Sequence, residues 1–241
     1  MLQWTKDQTQ ERGFFPAGTE ARVTDTPQDQ ERALSLPLLA AYVACVPEDL
    51  RVGSVASPAR MAEIARTKVE KHRRQRYCVW RLLEYAAEHS LGIPKEQIRF
   101  EKTASGAWRA EGFCFSLSHT DGAVAVALSH APVGIDIEPL TTAIEEKLAL
   151  RIMTESERAT FTALPKEERG AFALTAWCKK EALFKLSGGE SFSPKRTESA
   201  DTRADTVCVT VGGKPLLLAI ASDSLPDLRL YTDIPPKTIY E

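Results

Sequence analysis

No stretch of this chain approaches the roughly 20 consecutive apolar residues of a membrane-spanning helix. Met1 to Gln10 carry no basic patch followed by an apolar core, so no secretory signal is expected and the protein reads as cytoplasmic. Charge of one sign is also missing. The chain has 31 Lys and Arg against 33 Asp and Glu, a formal net charge of -2, which removes any bulk electrostatic case for nucleic acid. Cysteine is sparse: the five, at 45, 78, 114, 178 and 208, are scattered and form no Cys-x-x-Cys pair. Four sit inside apolar strand or helix patterns, so reduced buried thiols are expected in place of a disulfide framework or a zinc site. There is no P-loop and no Gly-rich phosphate turn, which weighs against an ordinary Mg²⁺-dependent nucleotide phosphotransferase.

What is present is a globular composition, 43% hydrophobic and 27% charged over 241 residues, enough for one large domain or two small ones. Residues 1–32 are rich in Thr, Gln, Asp and Glu and read as a flexible extension. Leu38 to Val46 is an apolar run suited to a buried strand. Pro58 opens a helical pattern with apolar positions from Met61 to Ala86, stopped near Gly92 and Pro94. A short strand over 98–102 and an alternating strand over 113–119 follow. Asp121-Gly122 marks a hairpin turn before a return strand over 123–129. After Pro132 the order recurs: a strand over 133–138, helices over 143–164 and 167–187, a polar and mobile loop over 190–205, and strands over 206–211, 216–220 and 228–232. The pattern implies an α+β fold of two pseudo-symmetric lobes, an N-terminal lobe over 33–130 and a C-terminal lobe over 131–241, with a cleft between them.

Two segments carry the chemistry. Gly134-Ile-Asp-Ile-Glu138 alternates as a strand, so Asp136 and Glu138 share one face about 6.7 Å apart. Two carboxylates side by side repel each other, and a hard divalent cation would relieve that repulsion. Trp177-Cys-Lys-Lys-Glu-Ala-Leu-Phe-Lys185 reads as a helix on which Glu181 falls between Leu174, Trp177 and Phe184 in an apolar arc. An acid there is costly unless paired or metal-bound. Lys185 lies one turn further along the stripe. Taken singly, each pair has an ordinary explanation: acids two apart on an exposed edge strand, or a Glu–Lys surface pair at i, i+4. Together they suit a Mg²⁺ site facing phosphate oxygens. His119 stands at a strand end beside Ser118 and Thr120. Arg66, Lys68, Lys71, Arg73, Arg74 and Arg76 form a basic cluster, either a solvated helix face or an anchor for an anionic ligand or an acidic partner.

Three motifs in order, Phe115-Ser-Leu-Ser-His-Thr120, Gly134-Ile-Asp-Ile-Glu138 and Trp177-x-x-Lys-Glu-Ala-x-x-Lys185, resemble those of 4′-phosphopantetheinyl transferases. Length and lobe pattern are similar to the monomeric surfactin-synthetase-activating branch. The resemblance implies an enzyme that uses Mg²⁺ and coenzyme A and modifies a serine of an apo acyl or peptidyl carrier protein. Such carriers serve fatty acid, polyketide or nonribosomal peptide synthesis. It further implies that Asp136, Glu138 and Glu181 hold Mg²⁺. Glu181, directly or through a metal-bound water, would take the serine proton. Lys185 and Lys180 would offset pyrophosphate charge, and Ser118 and His119 would contact the nucleotide phosphates. Arg73 and Arg74, helped by Arg60, would meet the 3′-phosphate. The family's usual Gly-Lys-Pro is replaced by Gly106-Ala107-Trp108-Arg109, and Arg109 is the expected substitute for the missing lysine. The competing expectation is a non-catalytic carrier-protein or nucleotide-binding module on the same fold.

Overall fold

The computed structural model describes residues 38–104, 106–188, 192–223 and 228–240; the expected extension over 1–32 lies outside them. Strand β1 (Leu39–Cys45) is followed by helices α1 (Pro58–Ala65) and α2 (Glu70–Leu91), short strands β2 (Phe100–Lys102) and β3 (Trp108–Ala110), then β4 (Cys114–Thr120) and β5 (Ala123–Ser129). The second part runs β6 (Val133–Pro139), α3 (Glu146–Ile152), α4 (Glu155–Ala163), α5 (Lys166–Ser187), β7 (Ala204–Val211), β8 (Lys214–Ser222), β9 (Arg229–Tyr231) and α6 (Pro236–Tyr240).

The strand sequences explain the layering. In β5, Val124, Val126 and Leu128 enter a core with α2, while Ala123, Ala125 and Ala127 enter a core shared with Ile135, Ile137, Leu216 and Leu218. Strand β1 divides the same way, Tyr42 on the α2 side and Leu39, Ala41 and Val43 on the other. This two-faced burial follows from the period-2 alternation of side chains. The result is four layers: α2, the sheet β4-β5-β1-β9, the sheet β6-β8-β7, and α5. The α+β architecture expected from the sequence is the one observed. Both lobes place an antiparallel triplet, β1-β5-β4 and β6-β8-β7, against a long helix of 22 residues.

Several expectations change. The helical pattern from Pro58 is two helices, because Arg66, Thr67 and Lys68 offer no apolar residue to hold another turn and Val69 is extended and 52% exposed. The second lobe does not run unbroken to 241. Strand β9 pairs in parallel with β1, and Ile239 and Tyr240 of α6 join the α2 core. Residues 192–204, within the expected mobile loop, are held by side-chain bonds to α4 and α5. No helix among the described residues is long and apolar enough to cross a membrane.

Candidate functional site

The two lobes meet along β4 and β6. Ser116 Oγ accepts the Ile135 amide at 3.1 Å, and Ser118 Oγ donates to Asp136 Oδ1 at 2.8 Å. The alternation of β6 buries Ile135 and Ile137 against the first sheet and turns Gly134, Asp136 and Glu138 toward α5. Gly134 is required there. A Cβ at this position would stand 1.8 Å from the Ala182 carbonyl oxygen, so only glycine lets α5 lie this close to the strand.

That close approach brings the helix stripe onto the acidic face. Asp136, Glu138, Trp177, Glu181 and Lys185 line one cleft of about 370 Å³ with Leu117, Ser118 and His119 from β4. Lys185 Nζ donates to Asp136 Oδ1 at 2.9 Å and to the Ile135 carbonyl at 2.8 Å. Cys178 Sγ, buried, donates to Asp136 Oδ2 at 3.4 Å. Each oxygen of Asp136 therefore has a donor.

The electrostatics are those of a site short of positive charge. Desolvation, and then the charge of Asp136, raise the pKa of Glu138 and of Glu181, while Lys185 works in the opposite direction. The Trp177 side chain, in the same cleft, also works against the rise at Glu138. His119 is shifted down by desolvation and by the fields of Lys185, Arg76 and His72, which favour the neutral ring.

Among the described residues no three His, Cys, Asp or Glu side chains close into a ready metal-holding group. The donor set nevertheless fits a hard cation. Three carboxylates face one cleft, and two of them, Glu138 and Glu181, are penalised for their charge by burial and then by Asp136.

Other expected residues lie elsewhere. Lys180 is not in the cleft: it is fully buried and paired with Glu157. The helical wheel places it on a buried face but cannot show that α4 supplies its partner. Arg109 is exposed on β3, opposite Glu101, away from the cleft lining. Ser118 lines the cleft, but its hydroxyl is given to Asp136. Arg60 pairs with Glu63 at 3.1 Å and lies 4.9 Å over the Trp80 ring. Arg73 pairs with Glu70. The Nε atoms of Arg60 and Arg74 are buried without a hydrogen-bond partner. Sequence reasoning missed Cys178 and Leu117. Cys178 precedes Lys185 by seven residues, a spacing that puts both on one helix face.

The fold and site define a two-lobed α+β protein with an acidic cleft at the lobe seam, closed on one side by a single lysine. Residues 132–229, which include Asp136, Glu138, Glu181 and Lys185, match the model of the 4′-phosphopantetheinyl transferase superfamily. The chain is 34% identical over 110 residues to the 4′-phosphopantetheinyl transferase psf-1 of Bacillus pumilus, covering 44% of this chain and 47% of that one. It is 31% identical over 105 residues to the 4′-phosphopantetheinyl transferase gsp of Aneurinibacillus migulanus, covering 43% and 44%. The chain thus spans just under half the length of each of these relatives.

Proposed function

We propose that this protein is a 4′-phosphopantetheinyl transferase. It moves the 4′-phosphopantetheine arm of coenzyme A onto a serine of an apo acyl or peptidyl carrier protein and releases adenosine 3′,5′-bisphosphate. The observation that carries the reading is the convergence of Asp136, Glu138 and Glu181 with Lys185 and His119 in one cleft. The family match over that region and the names of the two relatives support it.

Asp136, Glu138 and Glu181 would hold Mg²⁺, which when bound offsets charge on the coenzyme A pyrophosphate. Burial and the charge of Asp136 raise the pKa of Glu181, which makes its carboxylate a stronger proton acceptor than an ordinary glutamate. It takes the proton of the carrier serine as the serine oxygen bonds to the phosphorus bearing the pantetheine arm. The bond from that phosphorus to the bridging oxygen breaks, and the electron pair leaves with adenosine 3′,5′-bisphosphate. Lys185 faces the same cleft and binds an anionic phosphate oxygen. Neutral His119 offers a hydrogen bond to the nucleotide, and Arg73 and Arg74, with Arg60, meet the 3′-phosphate. Arg76, whose charge reaches His119, joins that set. The reading implies a cytoplasmic monomer, and the five free cysteines suit a reducing compartment.

The test is intact-mass analysis of several apo carrier proteins incubated with this protein, Mg²⁺ and coenzyme A. Gain of one phosphopantetheine on a carrier serine, with release of adenosine 3′,5′-bisphosphate, is expected. Unmodified carriers, with coenzyme A bound but intact, would point to the non-catalytic module.

A further inference from the structure

Lys180, fully buried on α5, has three N–H donors and three acceptors. These are the Ile152 carbonyl at 2.9 Å, the Glu157 carboxylate on α4, and the Pro194 carbonyl at 2.8 Å. Glu157 in turn accepts the backbone amides of Thr154 at 2.9 Å and Ser199 at 2.7 Å. The pair therefore grips residues 192–199 at two points, Pro194 and Ser199. Glu198 adds a third, accepting the Thr154 hydroxyl at 3.0 Å.

A buried ion pair is a poor way to gain stability, since desolvation consumes most of the attraction. What this one does is fix a geometry. The gripped segment begins at Phe192, whose ring centre lies 5.6 Å from Trp177 and 5.0 Å from Phe184. Trp177 lines the cleft together with Glu138 and bears on that carboxylate. A continuous line of contacts thus runs from a buried charge outside the cleft to the indole that forms part of its wall.

We propose that Lys180 and Glu157 are positioning residues: by holding Pro194 and Ser199 they seat Phe192 against Trp177, and so fix the indole in the cleft wall beside Glu138. Its kinetic arm rests on the transferase reading above; its two physical arms do not.

The test compares the full chain with Lys180→Met, Phe192→Ala and the double variant. In hydrogen exchange, Lys180→Met should speed the backbone amides between Ser193 and Ser199 by about tenfold or more, with α2 and β1 unchanged. Phe192→Ala should leave that segment protected. The Trp177 emission, taken as the difference from Trp177→Phe, should shift to the red in both variants. In transfer from coenzyme A to an apo carrier, both should lower kcat more than they raise KM, and the double variant should be no worse than Lys180→Met alone. Unchanged exchange in Lys180→Met, unchanged Trp177 emission in Phe192→Ala, or losses in kcat that multiply in the double variant would each overturn the proposal. If Lys180→Met does not fold, the emission and kcat of Phe192→Ala still decide whether Phe192 holds Trp177. If the unmodified protein transfers nothing, the function proposed above fails, while exchange and emission still decide this one.

Discussion

Lys185 and Asp136 bind each other across the seam between helix and strand, Nζ to Oδ1 at 2.9 Å, with the Ile135 carbonyl as a second acceptor. The lysine is the cation that the acidic cleft has at hand, so its removal should be felt both in stability and in chemistry.

Lys185→Met should lower stability by about 1–2 kcal/mol, less than for a fully buried pair because the lysine side chain is 26% exposed. Added Mg²⁺ should restore part of that loss, since a divalent cation replaces the missing charge beside Asp136. Thermal unfolding with and without Mg²⁺ measures both. Transfer should remain impaired at every Mg²⁺ concentration, because the phosphate contact is gone.

Glu181→Gln should fold normally, as size and helix propensity are kept. Transfer should fall by about 10²- to 10⁴-fold or more, the usual cost of losing a general base, and excess Mg²⁺ should not recover it. Asp136→Asn should also be inactive but partly recoverable at high Mg²⁺. Full recovery of Glu181→Gln by Mg²⁺ would leave Glu181 as a ligand alone.

Gly134→Ala should be among the most damaging single changes in the second lobe. Its Cβ would collide with the Ala182 carbonyl at 1.8 Å and crowd the Leu186 amide at 2.7 Å, and backbone cannot rotate out of the way. The expected loss is about 3 kcal/mol or more, with α5 pushed off β6. Chemical denaturation of the purified variant, or its failure to accumulate as folded protein, checks this.

Stability should fall as pH rises above the ordinary glutamate range when no metal is present. Burial first, and Asp136 second, raise the pKa of Glu138 and of Glu181 in the folded state. Between the ordinary value and the raised one, the folded protein holds more protons than the unfolded chain, so each step up in pH favours unfolding. Glu138→Gln removes one of these groups. The variant should gain melting temperature relative to the unaltered protein as pH goes from about 4 to 7 in chelator. A difference independent of pH would remove Glu138 from this role.

Arg73→Ala with Arg74→Ala should weaken coenzyme A binding far more than binding of a phosphopantetheine fragment lacking the 3′-phosphate. Arg109→Ala should leave the Michaelis constant for coenzyme A unchanged, because Arg109 is exposed on β3 outside the cleft lining. Calorimetry and steady-state kinetics check the two expectations.

Much of this site was legible because it depends on local periodicity. Alternation alone put Asp136 and Glu138 on one face of β6, and the helical wheel alone aligned Trp177, Glu181 and Lys185. The parts that escaped are those set by distant partners. Lys180 looked like its neighbours in the motif, yet it is buried outside the cleft, bonded to Glu157 and the Pro194 carbonyl. Strand β9 has only three residues, and nothing local announces that it will pair with β1, nearly two hundred positions earlier. The break at 66–69 was hidden because the apolar positions on either side of it were read as one helical run, although 66–68 supply none. Ser118 was read by its place beside His119, but its partner Asp136 reaches it from the other lobe.

The return of β9 and α6 to the first sheet has a mechanical consequence. The chain passes between the lobes twice, once from β5 to β6 and again from β8 to β9. Two halves joined by a single tether can swing open like a jaw, but two halves fastened at both ends behave as a closed buckle. On the transferase reading, coenzyme A and a carrier protein would then enter an already assembled groove from its open side, without prising the halves apart.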